Sequence, residues 1–233
     1  GDIAQMDICE KLIQTAVKKW GTIDILVNNA GTNRDRMLWN MSEEEWDEVI
    51  NVILKGTFAC TKYAVVHMRQ HRGGRIINLT SQAGLDGNAG QPNYSAAKAG
   101  VVGFTKSCAL ALGRYGITVN ALSPQANTRI WRGVTPERAR EMGILRGLVT
   151  AEIAESLPDD EVYSKIFGSP EDVAPIAVYL ASDQSNNISG QVFFASGGRI
   201  SLYSPWTQTK SLYKKGRWTC QELLSAIPAM LAG

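Results

Sequence analysis

A tyrosine and a lysine stand one helical turn apart in the segment QPNYSAAKAG, residues 91–100. Residues four apart on a helix project from the same face, so the phenol of Tyr94 and the ammonium group of Lys98 are expected to be neighbours. An unperturbed phenol has a pKa of about 10 and is a poor base near neutrality. A cation held beside it favours the phenolate and lowers that pKa, which would make Tyr94 a general acid or base.

The elements that must position this pair alternate between strand and helix. Residues 22–31 form a short apolar run ended by Asn-Asn and Gly, which is typical of a buried parallel strand. Residues 42–68 begin with Ser42 as N-cap and Glu45 at capping-box spacing, and they continue with helical periodicity. Further strands are predicted at 75–81, 117–123 and 191–196, and further helices at 93–114 and 170–182. Repeated strand–helix–strand units predict an α/β fold, a doubly wound parallel sheet.

In such a sheet, ligands bind beyond the carboxyl ends of the strands. The polar groups that follow strands lie at 28–31, at Ser81 and at 124–128, and the glycine-rich segment between Ser81 and Tyr94 can fold back over the sheet. A hydroxyl, a phenol and an ammonium group would then converge, with Ser81 hydrogen-bonded to the substrate oxygen that exchanges a proton with Tyr94. Taken singly, a Y-x-x-x-K pair is typical of a solvated helix face, and a terminal Ser usually bonds local backbone. Their joint occurrence favours a catalytic site.

Composition excludes several classes of protein. The 233 residues are 44% hydrophobic, enough for one substantial core, and 24 Lys and Arg against 22 Asp and Glu give a net charge of +2, which does not favour a nucleic-acid partner. No apolar run approaches the roughly 20 residues that cross a bilayer. The four cysteines are scattered and His67 and His71 are the only histidines. We therefore expect reduced thiols, no metal site and a cytoplasmic location.

The motifs together resemble the short-chain dehydrogenase/reductase family. The resemblance is carried by NNAG at 28–31, by Ser81, Tyr94 and Lys98 at the family spacing, and by GITVNALSP at 116–124. It implies a Rossmann-like sheet and a hydride transfer with NAD or NADP as cofactor. It also implies that Tyr94 is the general acid or base, that Lys98 lowers the pKa of Tyr94 and holds the nicotinamide ribose, and that Ser81 orients the carbonyl or hydroxyl group. The implied cofactor-binding residues are Asp2, Ile3, Asn28, Ala30, Gly31, Tyr94, Lys98, Pro124 and Thr128, and the implied substrate-binding residues are Ser81, Gln82, Gln91 and Tyr94.

A narrower resemblance is to (3R)-hydroxyacyl-CoA dehydrogenases, 3-oxoacyl reductases and 17β-hydroxysteroid dehydrogenases. It implies an acyl thioester or a steroid-like molecule as substrate. Family members usually pair the helix that carries the tyrosine and the following helix across a two-fold axis, so a homodimer or homotetramer is expected. The implied organisation is a catalytic domain at 1–200, with a substrate lid at 129–168 that includes Trp131, and a C-terminal extension at 201–233. Packing of the lid helices on the core is the alternative for 129–168.

Three departures from the family pattern qualify this hypothesis. The glycine-rich phosphate loop T-G-x-x-x-G-x-G is not found, so the first family strands are expected to be missing and dinucleotide binding by residues 1–233 to be weak. Ile53 stands where the family often has an assisting Asn, and Asn51, about 200° away on an α-helix, cannot replace it. Gln125 replaces a glycine after Pro124. Two hypotheses follow: a nicotinamide-dependent oxidoreductase, or a catalytically degenerate paralogue that serves protein contacts.

Overall fold

The computed structural model describes residues 1–128, 134–204 and 206–232. The chain divides into two compact units, Gly1–Tyr203 and Ser204–Gly233. The strands are β1 (Ile25–Asn28), β2 (Gly74–Leu79), β3 (Ile117–Pro124), β4 (Val192–Ser196) and β5 (Arg199–Leu202). The α-helices are α1 (Met6–Trp20), α2 (Glu43–Ile50), α3 (Gly56–His71), α4 (Ala83–Asp86), α5 (Pro92–Leu112), α6 (Pro136–Leu145), α7 (Ala151–Ser156), α8 (Val162–Phe167), α9 (Pro170–Ala181) and α10 (Cys220–Ala232).

The five strands form one sheet in the order β1-β2-β3-β4-β5. The first four are parallel, which confirms the predicted sheet, and β5 pairs antiparallel with β4. The prediction that residues 191–196 close the series is wrong, because the glycines between Ser196 and Arg199 form a two-residue turn that returns the chain as β5. Strand β1 lies at the edge, and no strand in the described ranges pairs with its outer side.

Both faces of the central strands β2 and β3 are buried, as expected for parallel strands with apolar runs. Neighbouring residues of β2 point to opposite faces: Ile76 packs with Ile13 of α1 and Met68 of α3, whereas Ile77 packs with Ile176 of α9. Helices α1 and α3 on one face and α9 on the other thus hold the strands in place, and the candidate site lies at the carboxyl ends of the strands.

The predicted helix at 42–68 is continuous but changes its geometry in the middle. Its start is confirmed, because Ser42 and Glu45 form the expected capping box. Asn51–Lys55 is one π-helical turn between α2 and α3, a local widening that often marks a functional site. By length and composition this helix, Glu43–His71, could also cross a membrane, but 44% of its apolar window is buried inside the fold. It is a core helix of the first unit.

Helices α6, α7 and α8 form a small cluster of their own around buried residues such as Ala139, Ala154 and Phe167. Arg140 ties the cluster together by donating hydrogen bonds to the carbonyl oxygens of Ala154 and Leu157. Most of the predicted lid lies here, whereas Trp131 lies outside the described residues. In the second unit, Glu222 accepts hydrogen bonds from Thr219 and Lys214 at the start of α10.

Candidate active site

Tyr94 lies in the first turn of α5, and the residue before it sets its position. Pro92 begins the helix, a position where its missing N–H costs nothing. The fully buried side chain of Asn93 accepts a hydrogen bond from the Tyr94 N–H (2.7 Å) and donates two, to the carbonyl oxygens of Arg34 (3.1 Å) and Glu45 (3.0 Å). Asn93 therefore joins the start of α5 to α2 and to the loop after β1.

Ser81 follows β2; its hydroxyl accepts a hydrogen bond from the Ala83 N–H (3.3 Å) and lies close enough to the Tyr94 hydroxyl to affect its pKa. Burial raises the pKa of Tyr94 above the usual value of a phenol, whereas the hydrogen bond with Ser81 lowers it; more weakly, the carboxylate of Asp35 raises it and the guanidinium of Arg146 lowers it. The pKa of Tyr94 is therefore not lowered overall in this structure, and the effect of Lys98 on it stays a prediction. Removal of the phenol from water outweighs the attraction of nearby cations.

Lys98 lies on the same face of α5 as Tyr94, as its spacing predicted, with Nζ 5.6 Å from the centre of the phenol ring. The side chain is buried, and Nζ donates a hydrogen bond of 2.6 Å to the carbonyl oxygen of Leu79 at the end of β2. Burial lowers the pKa of Lys98 to about 8. Lys98 is thus a largely desolvated cation held beneath the tyrosine.

The remaining space around Lys98 is bounded by Gly31 and Ile53. A methyl group on Gly31 would lie 4.0 Å from Lys98 Nζ and 3.8 Å from Ile53 Cγ1, so a side chain at this position would contact the ammonium group. Ile53 is buried in an apolar cluster with Val49 and Val101. The separation of about 200° expected for Asn51 and Ile53 on an α-helix does not apply here, since both residues belong to the π-helical turn.

The other predicted cofactor residues are distributed around this edge. Asn28 is engaged inside the fold, where its amide donates to Asn78 Oδ1 (2.8 Å) and Thr61 Oγ1 (3.1 Å). Ala30 is exposed after β1, Asp2 is exposed before α1, and Ile3 packs beside Gly56 at the start of α3.

At the end of β3, Pro124 is half-buried and Thr128 is exposed. Gln125 between them is buried, its N–H donates to the Ala195 carbonyl oxygen, and its Oε1 accepts a hydrogen bond from Arg146. The glycine-to-glutamine departure therefore places an amide group, held by an arginine, at this end of the sheet.

The two glutamines predicted to bind substrate have protein partners. Gln91 accepts from Asn88 (2.8 Å) and donates to Asp35 (2.9 Å), so both ends of its amide are used to hold the loops around Tyr94. Gln82 lies close enough to Tyr203 to affect the pKa of its hydroxyl, and the buried Oε1 of Gln82 has no hydrogen-bond partner within the described part of the chain.

Four residues of this neighbourhood were missed from the sequence. Asn93 carried a readable signal, since a polar residue in the first helical turn next to the tyrosine often satisfies free backbone groups. No sequence signal pointed to the other three, Asp35, Arg146 and Tyr203, because each comes near Tyr94 or Gln82 from a distant segment of the chain.

The assembled groups are a proton donor, a hydroxyl that can share a substrate oxygen, and a buried cation beside Gly31. These groups suit a carbonyl or alcohol that exchanges a proton with Tyr94 while a hydride moves. The chemistry of Lys98 suits a nicotinamide nucleotide, because its ammonium group has three donors and uses one on the Leu79 carbonyl oxygen, so it could also donate to ribose hydroxyls. The sequence contains no T-G-x-x-x-G-x-G loop for the pyrophosphate.

Comparison with known proteins agrees with this class of site. Residues 1–199 match the family model described as enoyl-(acyl carrier protein) reductase. The 3-oxoacyl-[acyl-carrier-protein] reductase FabG of Thermotoga maritima is 41% identical over 85% of this chain and 75% of its own length. The hydroxyacyl-CoA dehydrogenase ChsB1 of Mycobacterium tuberculosis is 38% identical over 100% of this chain and 70% of its own.

The crystal structure of a short chain dehydrogenase from Mycobacterium avium superposes with a TM-score of 0.80 at 38% identity, over 99% of this chain and 72% of that one. The fold and the site define an NAD(P)-dependent oxidoreductase. The chain belongs to the short-chain dehydrogenase/reductase family.

Proposed function

We propose that the protein transfers a hydride between NAD(P) and a 3-hydroxyacyl or 3-oxoacyl thioester. The observation that carries the proposal is the convergence of Ser81, Tyr94 and Lys98 at the carboxyl end of β2, with the Ser81 hydroxyl near the phenol and Lys98 buried beneath it. The relatives support the acyl substrate, because their names describe a 3-oxoacyl reductase and a hydroxyacyl-CoA dehydrogenase. A hydroxysteroid-type substrate is the second candidate, based on the narrower sequence resemblance.

In the direction of reduction, the substrate carbonyl oxygen would accept hydrogen bonds from Ser81 and Tyr94. When NAD(P)H is bound, it supplies the hydride that makes this oxygen an alkoxide. Tyr94 then gives its phenolic proton to the oxygen and becomes a phenolate, and oxidation reverses the transfer. Lys98 would hold the nicotinamide ribose beside Gly31, and its charge would offset that of the phenolate. Asp2, Ile3, Ala30, Pro124 and Thr128 are proposed to line the same cofactor cleft, with Asn28 holding its floor.

The test is reduction of a short 3-oxoacyl thioester and of a 3- or 17-ketosteroid, each with millimolar NADH or NADPH, by the 233-residue chain. Tyr94→Phe removes one hydroxyl and should lower the rate by about 100-fold or more. Tyr115→Phe is the matched control, because Tyr115 lies on the short turn after α5 and its hydroxyl contacts Arg69 instead of the site. Equal rates for wild type and Tyr94→Phe would refute the role of Tyr94. A rate with the ketosteroid but not the thioester would refute the acyl substrate alone.

We also propose a homodimer or homotetramer in the cytoplasm. Apolar side chains are exposed on α3 and α5, where Phe58, Val66 and Leu110 are 42%, 50% and 88% exposed. Such a concentration of apolar surface on two neighbouring helices favours a second copy as partner. The degenerate-paralogue hypothesis, which Ile53 and the missing phosphate loop motivated, gains no support from the comparisons.

A further inference from the structure

We propose that Gln125 at the end of β3 and Arg199 of the β4–β5 hairpin are positioning residues, which hold the helical cluster of α6, α7 and α8 at the substrate side of the active site. They act on the substrate through the turn that follows α6, and neither touches the reacting atoms. The inference rests on the proposed function, because it assigns the residues that place one wall of the proposed substrate site.

The turn after α6 is held to the end of β3 by a hydrogen bond between two side chains. Arg146, the first residue after α6, donates from Nη1 to Gln125 Oε1 across 3.2 Å. Gln125 is 4% exposed, and its N–H donates to the Ala195 carbonyl oxygen of β4 (2.8 Å), so the acceptor is fixed to the sheet. Gln125 lies three residues beyond the last pair of β2 and β3, and Ser81 lies two beyond it, so both leave the sheet at the same edge.

A second contact on this turn comes from the β4–β5 hairpin. Arg199 begins β5 directly after the glycine turn, and its Nη1 donates to the Gly147 carbonyl oxygen across 3.0 Å. Its Nε donates to Ser201 Oγ (3.1 Å), and its guanidinium lies 5.6 Å from the centre of the Phe194 ring. These contacts within the hairpin orient the guanidinium, although Arg199 is exposed. The acceptor is the residue next to the first contact, so both contacts hold one turn.

The same hairpin contacts the far end of the helical cluster. Gly168 ends α8 with φ 68° and ψ −162°, a conformation that is essentially restricted to glycine. A methyl group on Gly168 would lie 2.8 Å from Gly197 Cα, so the two backbones are in close contact. Ser196 Oγ donates to the Phe167 carbonyl oxygen (3.2 Å), and the Asn127 N–H donates to that of Gly168 (3.0 Å). The hairpin thus touches the cluster at both ends, the end of α8 through its glycine turn and the end of α6 through its arginine.

The helical cluster has a hydrophobic core of its own. Ala139, Ala154 and Phe167 are 0% exposed in it, and every described member of this core lies within 134–167. This core holds the three helices to one another but does not fix them to the sheet. We therefore expect the polar contacts at the two ends to set where the cluster lies relative to the site.

Two pairs of variants and a control separate the contacts from general effects of mutation. Gln125→Met removes the acceptor at similar length, whereas Gln125→Glu keeps an acceptor for Arg146 and loses no other side-chain bond, since Gln125 Nε2 has no partner within the described ranges. Arg199→Leu removes the donor to Gly147, whereas Arg199→Lys keeps one. Ser201→Ala is the control, because it removes a different hydrogen bond of the same arginine.

Hydrogen–deuterium exchange of the free chain, followed by mass spectrometry of peptides from 143–150, tests the contacts without cofactor or substrate. Gln125→Met should speed exchange of this turn by about fivefold and Arg199→Leu, whose contact is exposed, by about twofold. Gln125→Glu, Arg199→Lys and Ser201→Ala should match wild type, and peptides from α5 should be unchanged in every variant. Unchanged exchange of the turn in both Gln125→Met and Arg199→Leu would overturn the proposal.

The kinetics of thioester reduction test the positioning role. Gln125→Met and Arg199→Leu should raise KM for the thioester by the same factors and leave kcat within about twofold, because a displaced wall weakens binding of the ground state and the transition state alike. A wild-type KM in variants with faster exchange would overturn the positioning role. If wild type reduces neither the thioester nor the ketosteroid, the proposed function fails and the positioning role fails with it, whereas the exchange result still decides whether the contacts exist.

Discussion

Asn93 offers a quantitative test of how the site is built. Asn93→Ala removes three hydrogen bonds, one to the Tyr94 N–H and two to the carbonyl oxygens of Arg34 and Glu45, from a side chain that is 0% exposed. A buried hydrogen bond contributes about 1 kcal/mol net, so the free energy of unfolding should fall by about 3 kcal/mol. For a protein of this size that corresponds to a decrease in Tm of about 6–12 °C.

The assay is urea unfolding followed by fluorescence, together with the rate of thioester reduction. Asn187→Ala, at an exposed position, is the control and should change stability by less than about 0.5 kcal/mol. Asn93→Asp retains the acceptor for Tyr94 but places a carboxylate against two carbonyl oxygens, so it should be at least as destabilising as Asn93→Ala. If Asn93→Ala unfolds at the same urea concentration as Asn187→Ala, the account of how Tyr94 is positioned is wrong.

Three further predictions concern stability and assembly. Burial lowers the pKa of Lys98 to about 8, so the cost of burying the cation is present in full below pH 8 and is relieved as the pH rises toward the unfolded pKa. Between pH 7 and pH 10, the free energy of unfolding in urea should therefore rise for wild type relative to Lys98→Met by up to about 3 kcal/mol. The same pH dependence in both proteins would contradict this. A methyl group on Gly84 would lie 2.6 Å from the Ala99 backbone nitrogen, whereas Gly103 on α5 has open space. Gly84→Ala should therefore cost about 1–3 kcal/mol and Gly103→Ala should stabilise by about 0.5–1 kcal/mol in thermal unfolding, and the reverse order would refute the packing argument. Leu110→Glu should lower the mass measured by light scattering if the exposed face of α5 is an interface, and an unchanged mass for variant and wild type would count against it.

The sheet and its helices could be predicted because their signals are local. Apolar runs ended by Asn and Gly indicated the parallel strands, and Ser42 with Glu45 marked a helix start that the structure confirms. No helix was predicted over Met6–Trp20, although Gly21 after it adopts the left-handed conformation that commonly ends helices. The Gly-Gly turn before β5 was likewise a readable hairpin signal.

The electrostatics of the site could not be predicted from spacing. The proximity of Tyr94 and Lys98 follows from the helical repeat. The balance between burial and charge that sets their pKa values depends on which segments cover them. Asp35 and Arg146 approach Tyr94 from 59 and 52 residues away in sequence, and they act on its pKa in opposite directions. The π-helical turn at Asn51–Lys55 was also outside the reach of an α-helical pattern.

The most direct test of the central claim is a transfer of deuterium. The chain is incubated with a 3-oxoacyl thioester and millimolar NADH or NADPH that carries deuterium at both C4 positions of the nicotinamide, and the 3-hydroxyacyl product is analysed by mass spectrometry. We expect wild type to form product with one deuterium at C3 and Tyr94→Phe to form it about 100-fold or more slowly. Wild-type product without deuterium, or equal product from Tyr94→Phe, would contradict the assignment of Tyr94 as the proton donor of an NAD(P)-dependent reduction.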